Sequence, residues 1–228
     1  MNILAIDTSS KYICLAIAED DKILAKFHKP LGAKLSRLIM PVIDRALKKS
    51  GLSIKRIDYF TVGLGPGSFT GLRVGLATIK GLAFSLNKPI TGVASLDTIA
   101  RSAHKFTGCI CPVVDAKRSL VYSAIYKLKN GQLRRRSRYM LISVKELLKK
   151  FKRKDKIFFL GDGLLLYRNE IAGKLGGSAN FADENSWYPK PENLIAIARE
   201  GMELDNPDKI VPLYLYPKEC QISQIANR

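Results

Sequence analysis

Two short apolar runs that each end in aspartate, residues 2–7 closing on Asp7 and residues 109–115 closing on Asp115, constrain this chain more than any other feature. Each opens the same succession. After Asp7 come the polar turn Thr8-Ser9-Ser10, a strand-like run over 12–18, the turn Asp20-Asp21 and an alternating segment over 22–28. Leu35, Leu38, Ile39, Val42 and Ala46 then recur at helical spacing, and Gly51 stops the helix expected over 34–50. A strand over 58–63, a helix over 70–86, a strand over 89–93 and a short helix over 96–103 complete the series. After Asp115 come the turn Ala116-Lys117-Arg118, strands over 120–128 and 133–142 joined by the hairpin turn Asn130-Gly131, and a helix over 143–151 capped by Ser143 with Glu146 in the capping-box position. A strand over 157–160 and a helix over 164–174 follow, then a last helix over 191–202 and an extended tail over 212–216. Element order, not identity, carries this repeat.

Two such halves stack as lobes, each a sheet covered by helices, with the turns after Asp7 and Asp115 facing each other across a cleft. That α/β architecture is the duplicated, two-lobed one of actin-like ATPases and sugar kinases, where two hairpin turns hold nucleotide phosphates. We place the lobes at residues 1–104 and 105–228, with the C-terminal tail as a candidate to return to the first lobe.

Composition excludes several classes. At 228 residues, 46% hydrophobic and 25% charged, the chain is long enough to bury a core and too apolar to be disordered. The longest stretch without charge, 59–72, contains Gly-Pro-Gly and is too short to span a bilayer. The N-terminus reaches Asp7 with no basic region before it, unlike a signal peptide. Cys14, Cys109, Cys111 and Cys220 lack a regular spacing and read as reduced thiols in a cytosol. Cys109-Ile110-Cys111 is one residue too tight for a zinc pair and reads as buried small hydrophobes. His28 and His104 are far apart and form no His-x-x-x-His pair, so no metal site and no zinc hydrolase are expected. Nor do two histidines assemble a convincing Ser-His-Asp or Cys-His peptidase site.

Charge is uneven. Net charge is +18, and between Lys127 and Lys156 thirteen lysines and arginines face only Glu146 and Asp155. Such a segment either attracts polyanions by counterion release or forms a solvated basic surface. No aromatic residue interleaves Arg134-Arg135-Arg136, so base stacking is not indicated there.

The densest motif is the run from Gly65 to Gly75, GPGSFTGLRVG, between a strand and a helix. It matches neither the dinucleotide-binding nor the Walker pattern. Gly71, Gly75 and Gly81 lie within the following helix, where glycine costs about 1 kcal/mol per site. The reading is close packing by a neighbouring helix, from this chain or a partner, with a phosphate cradle as the alternative. Candidate phosphate contacts are Asp7, Thr8 and Ser9 in the first turn, Asp115 and Lys117 in the second, and Gly161 and Gly163 in the Gly-Asp-Gly turn at a strand end. A capped strand end is the competing reading at Asp7, and a plain turn at Asp162. A small-molecule kinase using Asp7 or Asp115 is the runner-up function.

Ile6-Asp7-Thr8-Ser9, GPGSFTGLRVG over 65–75, VDAKRSLVY over 114–122, GDG over 161–163 and PLYLY over 212–216 resemble the TsaB (YeaZ) family in order and spacing, over nearly the whole chain. The resemblance implies the actin-like fold and an accessory, non-catalytic role in threonylcarbamoyl modification of the adenosine beside the anticodon of certain tRNAs. It implies a heterodimer with the catalytic paralogue TsaD, the ATPase TsaE as a further partner, tRNA reached through the complex, and a homodimer when the chain is alone in the cytoplasm. The paralogue's His-x-x-x-His metal motif has no counterpart here. ATP or ADP, bound by this chain or only at an interface of the complex, is the one cofactor left open. The helices over 34–50 and 70–86 are then the expected partner surface, through Leu38, Val42, Gly71, Leu72, Gly75 and Thr78. Two departures stand out: Leu35-Ser36-Arg37 replaces the usual His-Ser-Glu, and Tyr216 stands where arginine is usual.

Overall fold

In a computed structural model, which describes residues 1–30, 34–152, 155–201 and 205–216, two sheets form from the two halves of the chain. The first has strands β1 (Asn2–Asp7), β2 (Tyr12–Glu19), β3 (Lys22–Pro30), β4 (Tyr59–Gly65) and β5 (Ile90–Ala94), in the order β3-β2-β1-β4-β5. β1 pairs antiparallel with β2 and parallel with β4, and β4 pairs parallel with β5. Every residue of β1 is buried, as a strand covered on both faces requires. Leu4 and Ile6 face helices α1 (Leu35–Ser50) and α2 (Phe69–Ser85). Ile3 and Ala5 point the other way, onto Leu194, Ile195 and Ala198 of the last helix, α6 (Pro191–Glu200). That helix lies in the second half of the sequence yet covers the first sheet. Between the halves runs α3 (Ser95–Ala100).

The second sheet repeats the plan. β6 (Cys109–Lys117) is central, antiparallel to β7 (Leu120–Ser123) and parallel to β11 (Ile157–Leu160). β10 (Met140–Ile142) flanks β7 and β12 (Ala179–Phe181) flanks β11, so β10-β7-β6-β11-β12 mirrors the first order strand for strand. Helices α4 (Val144–Leu148) and α5 (Leu164–Leu175) belong to this half. The repeat expected from element order is present, and the fold is the duplicated actin-like one.

Four expectations change. The strand expected over 120–128 is split after Ser123, and its second part, from Tyr126, pairs with the other end of β6. The strand expected over 133–142 is broken. Its first part, β9 (Gln132–Arg135), pairs with β8 (Tyr126–Lys129) in an added hairpin, and only β10 occupies the place equivalent to β3. The break falls at Ser137, whose hydroxyl accepts the Ile125 N–H at 2.9 Å. The helix expected to 151 ends at Leu148, although Ser143 caps it as read, accepting the Glu146 N–H. The last helix ends at Glu200, and Met202 lies outside the described residues, as do Arg153, Lys154 and Cys220.

The segment after α6 returns to the first sheet. Asp205 bridges Ile90, Ile210 is buried in the first core, and the Leu213 N–H donates to the Leu64 carbonyl at 2.8 Å. It ends on the second lobe, where the Tyr216 hydroxyl donates to the Ala116 carbonyl at 2.8 Å. Among the described residues no helix is long and apolar enough to cross a membrane.

Candidate functional site

A cleft of about 690 Å³ opens where the two halves meet. Its walls are the turn after β1 (Ser9, Ser10, Lys11), the glycine-rich loop, the end of β6 with Asp162, and the tail from Leu213 to Tyr216.

Asp7 does not face this space. Its carboxylate accepts the Ser9 N–H at 2.8 Å and the Ser95 hydroxyl at 2.6 Å, and the residue is 1% exposed. Ser95 in turn accepts the Gly65 N–H, tying the end of β1 to the start of α3 and to the glycine-rich loop. Burial pushes the Asp7 carboxyl above the ordinary aspartate range, against the pull of those hydrogen bonds. Asp7 is a buried strand-end clamp that does not line the cleft.

The glycines explain why. A Cβ on Gly67 would lie 2.2 Å from the Ser9 carbonyl oxygen, one on Gly71 2.1 Å from the Thr8 carbonyl oxygen, and one on Gly75 2.1 Å from Thr8 Oγ1. The Thr8 hydroxyl donates to the Gly71 carbonyl at 2.7 Å, and the Ser68 N–H donates to Ser9. Thus the close neighbour of Gly71 and Gly75 is the turn after β1, and no second helix is involved. The start of α2 sits on Thr8 and Ser9, and Ser68 accepts the Gly71 N–H that a bound anion would use. The expected partner residues Gly71, Leu72 and Gly75 are buried inside the chain, which corrects their assignment to a surface, while Leu38, Val42 and Thr78 are half-buried. Leu35 is buried, and both it and the exposed Ser36 line the cleft.

The second turn is more open. Asp115 accepts the Lys117 N–H at 2.8 Å and pairs with the Lys117 ammonium at 2.5 Å. Asp162 accepts the Asp115 N–H at 3.1 Å, and burial raises its pKa. Arg118 and Ser119 hold positive φ, at 52° and 58°, as the two central residues of a tight hairpin turn do, and Lys117, at 64°, sits at the irregularity where the β6–β7 register shifts. Gly161 and Gly163 lie against β6: a Cβ on either would meet the Val113 carbonyl oxygen, at 2.4 and 2.8 Å. Their backbone closeness places Asp162, and neither is exposed to a ligand. Of the candidate phosphate contacts, Ser9, Asp115 and Lys117 line the cleft and Asp7, Thr8, Gly161 and Gly163 do not.

Cys14, Cys109 and Cys111 are buried thiols, and burial pushes Cys111 up to about 12. His28 stacks on Tyr12 at 4.8 Å, and Tyr12 leans on Tyr188.

The sequence reading expected a partner surface on α2 but named its buried residues Gly71, Leu72 and Gly75 rather than the ones that face outward. Ala77, Gly81 and Phe84 are exposed at helical spacing, Phe84 at 78%, and among the described residues nothing lies within 4 Å of a Cβ built on Gly81. Within α2 the charges are Arg73 and Lys80. Lys80 donates to the Ile210 carbonyl, and Arg73 lies over the Phe69 ring and donates to the Tyr214 hydroxyl. The helix is therefore apolar on both faces. The signal was present in the spacing 77, 81, 84, but the buried glycines of the same helix masked it.

A family described as TsaD: tRNA N6-adenosine threonylcarbamoyltransferase matches residues 25–184. The tRNA threonylcarbamoyladenosine biosynthesis protein TsaB of Bacillus subtilis is 32% identical over 229 residues, covering 100% of both chains. The tRNA N6-adenosine threonylcarbamoyltransferase of Kosmotoga olearia is 35% identical over 111 residues, covering 42% of this chain and 34% of that one. The crystal structure of YeaZ from Pseudomonas aeruginosa shares the fold, with a TM-score of 0.80 at 23% identity over 94% of this chain and 99% of that one. By full-length identity, the chain belongs to the TsaB (YeaZ) family of tRNA threonylcarbamoyladenosine biosynthesis proteins.

Proposed function

We propose that this chain is the accessory, non-catalytic member of the threonylcarbamoyladenosine machinery and that it docks on its catalytic paralogue TsaD through the outer face of α2 and the adjoining flank of α1. The observation that carries this reading is the doubly apolar helix α2, with Ala77, Gly81 and Phe84 outward. Small residues along a helix let a second helix approach closely, and an exposed phenylalanine supplies an anchor. Half-buried Leu38, Val42 and Thr78 border that face. The similarity to a threonylcarbamoyltransferase supports a partner with an equivalent pair of helices, which is the geometry of a pseudo-symmetric contact. The same face serves a homodimer when TsaD is absent.

The sealed state of Asp7, and the helix start seated on Thr8 and Ser9, support leaving the chemistry to the paralogue. TsaE and any ATP or ADP then belong to the assembled complex, in the cytoplasm where tRNA is modified. Residues 1–104 are the docking lobe and 105–228 the second lobe, with α6 and the tail carried back onto the first.

The test is co-elution of purified chain and TsaD. The wild type forms a stable pair, and Ala77→Glu with Phe84→Glu keeps the native circular dichroism and melting temperature but elutes alone. Retained pairing by that variant overturns the reading.

A further inference from the structure

The β8–β9 hairpin carries cations with no acid beside them. Lys127 stands directly across from Arg134, and Lys129 across from Gln132. Tyr126 is buried and Leu128 and Leu133 are half-buried against the second core, so Lys127, Lys129 and Arg134 take the outward positions. Arg136 continues the strand, its N–H donating to the Ile125 carbonyl. All four are exposed, and among the described residues none has a carboxylate within ion-pair distance.

Opposed like charges weaken a strand pair, so stability alone disfavours Lys127 across from Arg134. Among the described residues β9 is a sheet edge, pairing with β8 alone. Edges are commonly guarded by charge, but one lysine suffices for that. The cations also continue beyond the hairpin. Phe151, just after α4, meets Phe159 edge-on at 5.9 Å. Phe159 aligns with Cys111, and Cys109, two residues along the same face of β6, aligns with Lys127. The segment from α4 to Phe151, with exposed Lys145 and Lys150, therefore lies on the same side of the sheet as Lys127.

We propose that Lys127, Lys129, Arg134 and Arg136 form a binding surface for the phosphate backbone of folded RNA, the tRNA of the pathway in which this family acts. The proposal rests on the family's pathway and not on how the chain docks its paralogue. The ligand is a polyanion because four cations share the outward side of the hairpin and, among the described residues, none of them is ion-paired with a carboxylate. It is read through phosphates because the outward positions hold no aromatic side chain on which a base could stack. The lack of an apolar anchor argues against a protein partner here.

The experiment titrates unmodified tRNA against the isolated full-length chain at several salt concentrations. The variants are Lys127→Ala, Lys129→Ala, Arg134→Ala and Arg136→Ala combined, and a control with exposed Lys22→Ala, Lys55→Ala and Lys174→Ala combined. The hairpin variant is expected to bind at least tenfold more weakly at low salt. Its slope of log affinity against log salt is expected to flatten by about 3, as four lost phosphate contacts require. Its melting temperature should not fall, since an unfavourable charge pair is removed. Affinity and slope like the wild type's, an equal loss in the control, or displacement of tRNA by polyglutamate at matched charge each overturn the proposal. Pairing with TsaD is measured separately by co-elution, so failure of docking and failure of RNA binding are distinct outcomes.

Discussion

Thr8 and Gly75 are in direct apposition: a Cβ on Gly75 would stand 2.1 Å from Thr8 Oγ1, with the rest of the Thr8 side chain at 3.2 Å. This contact decides how the molecule uses its glycine-rich helix. The start of α2 covers Thr8, while Ser9, Ser10 and Lys11 of the same turn still line the cleft.

Substitutions along α2 should therefore split into two classes. Gly75→Ala is expected to destabilise the fold by about 1–3 kcal/mol through overpacking, and Gly75→Leu to abolish it. Gly81→Leu, with open space at its Cβ, should fold with a melting temperature near the wild type's and lose the TsaD partner. Thermal unfolding and co-elution on the same variants read both effects, and a stable Gly75→Leu would contradict the packing described.

Asp7 should impose a pH dependence opposite to that of a salt-bridged carboxylate. Its pKa in the fold is raised above the unfolded value of 3.8, with burial as the first cause. The folded state then binds the proton more tightly, so the contribution is full below that unfolded value and is lost as pH rises through the folded pKa. Unfolding free energies measured from acid to neutral pH should show wild type losing ground to Asp7→Asn as pH increases. A constant difference across that range would show that Asp7 titrates alike in both states.

Asp97 of α3 holds the two halves together. Its carboxylate accepts the Tyr126 hydroxyl at 2.5 Å and the Tyr139 hydroxyl at 2.8 Å, and burial, ahead of the Asp97 charge, raises both phenols. Asp97→Ala leaves both hydroxyls without their acceptor and is expected to cost about 2–4 kcal/mol in denaturant unfolding. Tyr126→Phe alone should cost about 1 kcal/mol, because Asp97 keeps its other partner.

The tail is a strap across the cleft. Tyr214 lies against Phe69 at 5.4 Å and accepts from Arg73, and Tyr216 reaches the Ala116 carbonyl. Tyr216→Phe should leave the global melting temperature within a few degrees of the wild type's and speed amide exchange at Leu213, whose N–H is bonded to Leu64. Unchanged exchange there would mean that the strap is held from the first lobe alone.

Much of this was legible from residues. The runs closing on Asp7 and Asp115 share a period, a burial demand and a following turn, all local properties, so the duplicated order of strands followed from pattern alone. The N-cap at Ser143 (without the reciprocal Glu146 bond of a full capping box, since Glu146 pairs with Lys149), the Asn130-Gly131 hairpin and the helix stop at Gly51 are likewise decided within a few residues of chain, where backbone preferences dominate. The glycines of α2 announced a close approach in the same way.

What approaches them was decided by tertiary structure. Sequence spacing says that Gly71 and Gly75 share a face, but not that residues 8 and 9, distant in the chain, come to rest on it. Nor does it say that the rest of the helix then turns Ala77, Gly81 and Phe84 outward. The same holds for Asp7, whose character depends on Ser95, and for the cationic hairpin, whose outward side depends on which residues the second core takes in. Local pattern determines which elements form, because hydrogen bonding and side-chain period act over neighbouring residues. The meeting of distant residues determines which groups are sealed and which remain on the surface, because only the folded chain brings their covering side chains onto them.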